Sequence, residues 1–220
     1  MNAIKTITNI VANNRGIFGI FANPGFGTTT VLMQIGSEME KEICGTTIIF
    51  SLEHSKEQWL ERMLLLGLST NHIIINDEPK PSAEMIIQTI KETPSVNLLI
   101  IDYFILLETE TSRALKDISE EFSISIVVGG HLSRDSGDYH PEKRPGLFAI
   151  APVCRPHRTM NISDFDFVAL SHRKHDCYRN IGVARRYNID NKSEFIIEIN
   201  RFGDKGSLFA EWDEKARLFV

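Results

Sequence analysis

Cysteine is scarce in this sequence and comes unpaired: Cys44, Cys154 and Cys177 are the three among 220 residues, with no C-x-x-C between them. A disulfide framework is excluded, and a reducing compartment is the natural setting. Long apolar runs are missing too. None approaches the roughly 20 residues that a membrane-spanning helix needs, and Lys5 is followed by no sustained apolar stretch of the kind a secretory signal carries. The expectation is a cytoplasmic protein with no membrane partner. Positive charge is also in deficit: 24 Lys and Arg against 29 Asp and Glu leave a net charge of −5. Nucleic acid can then be met only through a local basic patch, not by the surface as a whole. The hydrophobic and charged fractions, 42% and 24%, are ordinary for a globular chain, and the length suits one α/β domain with a full core.

One further absence concerns a single position. The apolar run Gly16-Ile17-Phe18-Gly19-Ile20-Phe21 ends in Ala22-Asn23-Pro24-Gly25-Phe26-Gly27-Thr28-Thr29, and a helical pattern follows at Val31, Leu32, Ile35 and Met39. Strand, glycine turn and helix N-terminus together make an anion cradle, because the first N–H groups of a helix have no partner of their own. Against the phosphate-loop pattern G-x-x-x-x-G-K-[ST] the stretch reads A-x-x-x-x-G-T-T. Gly27 and Thr29 fit, whereas Thr28 stands where the lysine belongs. Pro24, Gly25, Phe26, Gly27, Thr28 and Thr29 are the candidate nucleotide-binding residues. The loop has the shape of a phosphate site without its charge.

The rest of the chain alternates. Ile4, Ile7, Ile10 and Val11 are spaced for a short amphipathic helix. Strands are expected at Thr46–Ser51, His72–Asn76, Val96–Ile101, Ile124–Val128 and Phe165–Leu170. Between them come a helix opened by a Ser55/Gln58 capping box, one started by Pro81-Ser82, and one capped by Thr111 or Ser112. This order argues for a mostly parallel sheet built of βαβ units. Phe195–Asn200, Ser207–Trp212 and Ala216–Val220 predict an antiparallel meander at the end. The organisation expected is a short N-terminal segment, residues 1–15, and one domain over residues 16–220. Trp59, Phe122, Phe209, Trp212 and Phe219 are assigned to the core, and Tyr103 to packing.

Asp102 closes an apolar strand downstream of the loop, where a Mg²⁺-coordinating carboxylate would sit. At this point a family resemblance emerges. Phe50-Ser51-Leu52-Glu53-His54-Ser55 resembles the F-S-L-E-M-S segment of DnaB-type replicative helicases, and the run Leu99 to Leu107 around Asp102 resembles their I-I-D-Y-L-Q-L strand. His131-Leu132-Ser133-Arg134 stands for Q-L-S-R, Lys143-Arg144-Pro145 for K-R-P, Asp164-Phe165-Asp166 for D-A-D, and Asn200-Arg201-Phe202-Gly203 for Q-R-N-G. The resemblance implies a RecA-like P-loop fold with a C-terminal antiparallel extension. It also implies ATP and Mg²⁺ as cofactors, a homo-oligomer (a hexamer in the family), contact with single-stranded DNA, and replication proteins as partners. On its terms, Gly25, Gly27 and Thr29 hold phosphates and Mg²⁺, Asp102 supports the metal, and Glu53 orients the attacking water. His131 takes the place of the γ-phosphate sensor, and Arg201 is the finger that reaches a neighbour's nucleotide.

The departures define the expected function. Thr28 replaces the loop lysine, His131 a glutamine, and Ile199 the lysine partner of the finger arginine. These point to weak ATP binding and impaired hydrolysis. An active ATP-dependent helicase or translocase and a non-catalytic module regulating a replication machine are the alternatives. Arg134, Lys143 and Arg144 are the candidate DNA contacts, within a stretch from residue 131 to 186 that holds ten Lys and Arg against six acidic residues. A solvated face of mixed charge explains that stretch equally well. Cys154-x-x-His157 and His172-x-x-His175-x-Cys177 have zinc-like spacing, but zinc is not expected, since the second cluster is no C-x-x-C and His172 directly follows a strand the family shares.

Overall fold

The computed structural model describes residues 2–42, 45–132, 144–150, 154, 160–173 and 192–220. In chain order the elements are α1 (Ala3–Asn13), β1 (Gly16–Ala22), α2 (Thr28–Glu42), β2 (Thr46–Ser51), α3 (Lys56–Leu65), β3 (Ile73–Asn76) and α4 (Ala83–Glu92). There follow β4 (Val96–Asp102), α5 (Thr109–Phe122), β5 (Ser125–His131), β6 (Phe167–Arg173), β7 (Lys192–Asn200), β8 (Gly206–Asp213) and β9 (Leu218–Phe219). The strands form one sheet in the order β3-β2-β4-β5-β1-β6-β7-β8-β9. The first six of these run parallel, and β7, β8 and β9 continue antiparallel. This is the parallel sheet with an antiparallel extension that the alternation predicts.

Residues along each central strand alternate between two apolar layers, as the two-residue period requires. Phe18 and Ile20 face a layer shared with α1, α2 and α3, while Ile17 and Phe21 face one shared with α4 and α5. A sheet covered on both faces explains why its strands read as apolar runs rather than as alternation. The Ser55/Gln58 capping box is present, and Ser82 caps α4 by accepting from the Met85 N–H. Helix α5 corrects the expectation for its start. It begins at Thr109, with Glu108 at the cap position and no side-chain cap bond, so Thr111 and Ser112 lie buried inside the first turns. Phe209 is a second correction: it is 56% exposed on β8, whereas Trp59 and Phe219 are buried. The reason is alternation, since Ala210 takes the inward place beside it.

Helix α1 packs through Ala3, Ile4, Ile7 and Val11 into the layer that also holds α2. Ser125 ties it to β5 by donating to the Val11 carbonyl at 2.9 Å. An Ile7→Ala substitution should therefore cost about 2–4 kcal/mol in urea unfolding. A cost below about 0.5 kcal/mol, the size of a surface effect, would show α1 to be detached from the core.

Candidate functional site

Parallel register brings five strand ends to one edge. Ala22 pairs with His131 of β5 and with Ser171 of β6, Asp102 pairs with Ser51 and with Gly129, and Arg173 closes β6. The carboxyl edge of a parallel sheet is where α/β folds place ligands. The segment between β1 and α2 lies there. Its turn is closed by the Phe26 N–H donating to the Asn23 carbonyl at 3.0 Å, and Gly25 and Gly27 take φ of +84° and +87°. Side chains are strained at such angles, and at Gly27 an added Cβ would meet the Phe219 ring at 3.2 Å. Helix α2 then starts at Thr28 with no acidic residue in its first turn, so no carboxylate of its own competes for its free N–H groups.

Thr28 is 5% exposed. Its methyl faces β5 so closely that a Cβ on Gly129 would lie 3.2 Å from it. Its hydroxyl oxygen is buried and has no hydrogen-bond partner among the described residues, as is true of Asn23 Oδ1. The side chain that replaces the lysine is thus tucked against the sheet. Thr29, half-buried, donates from its hydroxyl to Asp102 Oδ2 at 2.9 Å. Asp102 is 2% exposed, and burial pushes its carboxyl up to about 6. The Thr29 hydrogen bond, His54 and Arg62 oppose that shift, and the charge of Glu53 adds to it. Glu53 is exposed in the bend after β2, where Ser51 Oγ donates to the His54 carbonyl at 2.6 Å. His131 lies half-buried at the end of β5, its ring 4.6 Å from that of Tyr103. Burial raises the Tyr103 phenol.

Two cations that sequence reasoning did not assign to the loop join it here. Arg62 on α3 donates to Thr30 Oγ1 at 2.8 Å, its own pKa lowered chiefly by burial. Arg173 reaches the Gly25 carbonyl with Nη2 at 3.4 Å. Helical spacing could have flagged Arg62, three residues after the buried Trp59. Nothing local flags Arg173, which counts in the sequence only as part of a basic stretch.

Arg201 does not join this group. It follows β7 at the opposite edge, where Nη1 pairs with Asp166 Oδ1 at 3.1 Å and Nη2 donates to the Ser163 carbonyl at 2.6 Å. Asp166 in turn accepts from the Ile17 N–H at the start of β1. Arg201 thus lies at the edge of the sheet away from the loop of the same chain. Arg144 pairs with Glu194 at 2.7 Å, while Arg134 and Lys143 lie outside the described residues. So do His157, His175 and Cys177 of the zinc-like cluster, and Cys44. Cys154 packs in an apolar layer with its thiol pushed up to about 12 by burial. Among the described residues no group of three or more His, Cys, Asp and Glu is placed to hold a metal, and no helix is long and apolar enough to cross a membrane.

A glycine cradle at a helix N-terminus, a threonine and a buried aspartate at the carboxyl edge of a parallel sheet define a RecA-like α/β domain of the P-loop class. Residues 65–220 match the family described as DnaB-like helicase C terminal domain, and the chain belongs to that family. The match begins after the loop and Glu53, which lie outside it. A probable replicative DNA helicase of Trieres chinensis is 25% identical over 91% of this chain and 52% of its own length. The replicative DNA helicase DnaB of Geobacillus stearothermophilus is 25% identical over 91% and 51%. The chain thus spans about half the length of these curated relatives. Among solved structures, an ATPase domain superposes with a TM-score of 0.76 at 20% identity, covering 94% of this chain and 84% of that one. A DnaB-like replicative helicase, whose structure is described with its interactions with primase, gives 0.75 at 20% identity over 94% and 59%. A KaiC-like protein of Pyrococcus horikoshii gives 0.65 at 15% over 93% and 88%.

Asp102 makes stability pH-dependent. Its folded pKa lies above the unfolded value of 3.8, so the folded chain holds this proton more tightly. The favourable contribution is complete below pH 3.8 and is lost as pH rises through about 6. In EDTA, Asp102→Asn should therefore gain stability over the parent between pH 4 and 7, approaching about 3 kcal/mol. Urea titrations giving a constant difference across that window would contradict the assignment.

Proposed function

We propose that this chain is a DnaB-like motor domain associated with DNA replication that binds ATP weakly and hydrolyses it poorly. The observation that carries the reading is Thr28, buried against Gly129 where a loop lysine would reach the phosphates. The remaining groups fit a Mg²⁺-nucleotide. Mg²⁺ takes oxygen ligands and keeps most of its waters, and the Thr29 hydroxyl and the buried Asp102 carboxylate, 2.9 Å apart, are such a donor pair. Bound Mg²⁺ would neutralise charge on the phosphate oxygens. The loop N–H groups would hold those oxygens, and Glu53, exposed at the same edge, would orient the attacking water.

Losing one charge-assisted contact costs about 1.5–3 kcal/mol, roughly ten- to a hundredfold in affinity, because the backbone cradle persists. Hydrolysis loses more, since a charge facing the transferred phosphoryl group acts most strongly in the transition state. An active helicase is the second reading, favoured by the intact Thr29–Asp102 contact. Assembly into a ring through Arg201, primase-type partners and single-stranded DNA belong to either reading. A purely protein-binding module is the third.

Steady-state turnover with Mg²⁺-ATP and single-stranded DNA should lie near background, and Thr28→Lys should raise it at least tenfold. Robust turnover in the parent chain that Glu53→Gln abolishes would establish the active-helicase reading instead. Binding to a single-stranded oligonucleotide should weaken steeply between 50 and 200 mM salt, as phosphate contacts do. No binding at the lower salt would remove DNA from the proposal.

A further inference from the structure

We propose that Asp166 is a positioning residue for Arg201. Anchored on the first strand, its carboxylate holds the guanidinium in one orientation at the amino edge of the sheet, with the rest of the fork open to a cleft beside α5. The inference rests on the reading that Arg201 serves the nucleotide of a neighbouring copy, and it names the residue that fits Arg201 for that service.

Every polar group of Asp166 is engaged in this mount. Its N–H donates to the Ile17 carbonyl at 2.9 Å and its Oδ2 accepts from the Ile17 N–H at 3.0 Å, which ties the residue to the start of β1 twice. Its carbonyl accepts from the Arg201 N–H at 2.9 Å, and its Oδ1 pairs with Arg201 Nη1 at 3.1 Å. The Ser163 carbonyl accepts from Nη2 at 2.6 Å. Room for the carboxylate comes from Gly16, where an added Cβ would overlap Asp166 Oδ2. The turn beyond Arg201 is fixed as well. Asn200 Oδ1 accepts from the Phe202 N–H at 3.1 Å, and Asn200 Nδ2 donates to the Asp204 carbonyl at 2.8 Å. The Phe202 ring stacks 5.7 Å from that of buried Phe18 on β1.

The arrangement suits a charge held ready for use. An arginine fork carries more N–H donors than Asp166 and Ser163 accept. The Arg201 side chain is still 51% exposed, against 18% for Asp166, and it lines a cleft of about 290 Å³ with Arg15, Lys116 and Glu120. An ion pair this open to water adds little to stability. Its effect lies in direction. A half-exposed arginine normally loses rotamer freedom when it meets a phosphate, whereas here that freedom is already lost on folding, so the charge is in place beforehand. Because Asp166 is tied to β1, the fork is also fixed relative to the strand that carries the phosphate loop at its other end.

Mixing two variants of the full chain tests the proposal, both carrying Thr28→Lys so that turnover can be read. The acceptor, with Arg201→Ala, keeps its loop site and lacks the finger. The donor, with Glu53→Gln, has a silent site and supplies Arg201. Turnover of Mg²⁺-ATP should rise on mixing, and Asp166→Asn in the donor should cut that rise about tenfold or more. The same substitution in the acceptor should leave the rise within about twofold, since Arg201 is absent there. Equal loss from either chain would make Asp166 merely structural, and a gain from the donor would show that it withholds Arg201. Either result overturns the proposal, as does no change from both. If Asp166→Asn does not fold by circular dichroism, Asn200→Ala, which opens the turn beyond Arg201, takes its place under the same expectations. No turnover by Thr28→Lys alone refutes the motor reading on which the inference rests. Turnover there with no rise on mixing refutes the service of Arg201 to a neighbour, and the role of Asp166 with it.

Discussion

The pairing of β1 between β5 and β6 is the constraint on which the rest of the molecule depends. Parallel strands share a direction, so every carboxyl end in that part of the sheet opens on the same edge. The register Ala22↔His131 and Ala22↔Ser171 sets the height at which each side chain emerges. Apolar burial on both faces locks that register, because a one-residue slip would turn Phe18 and Ile20 out of the layer built with α2. The loop, Thr29, Asp102, His131 and Arg173 are neighbours for this reason alone. Arg201 is excluded from them for the same reason, since it follows an antiparallel strand that ends at the far edge.

Charge is distributed unusually at this edge. The side chain at position 28 adds none, and the buried Asp102 is only partly compensated by its hydrogen bond from Thr29 and by Arg62. Cations approach the loop from two sides instead, Arg62 from α3 at Thr30 and Arg173 from β6 at Gly25. Arg173 is buried and Arg62 is exposed, and desolvation is still the main cause of the lowered Arg62 pKa. The C-terminal strands take part in this arrangement. Gln34 on α2 grips both the carbonyl and the N–H of Phe219, at 2.8 and 3.1 Å. That grip places the Phe219 ring beside Gly27 and the guanidinium of Arg173. The meander is therefore part of the wall of the loop as well as an extension of the sheet.

Local chemistry made much of this legible. Apolar periodicity located the strands and helices because burial on two faces leaves a pattern that needs no knowledge of neighbours. The Ser55/Gln58 box appeared because capping is completed within four residues. The start of α5 was less readable, since Thr111 and Ser112 are good cap residues that tertiary packing instead buried within the helix. Phe209 was misplaced because Leu208, Phe209 and Ala210 are all apolar, so local sequence does not say which face of β8 turns inward. The basic stretch after His131 was read as a charge sum in which Arg134, Lys143 and Arg144 stood out as candidate DNA contacts. One of its members, Arg144, pairs with Glu194 of β7, and another, Arg173, lies against the loop.

The sequence by itself determined the alternation of elements, the glycine turn before α2, and the substitution of threonine for lysine at position 28. Each of these is a property of adjacent residues, set by backbone geometry and side-chain type. Only the tertiary structure decided which groups surround that substitution. Arg173 is 148 residues from Gly25, and Phe219 is 185 from Gln34. Their meeting depends on strand order and register, which are fixed by burial summed over the whole sheet and by no single segment of the chain.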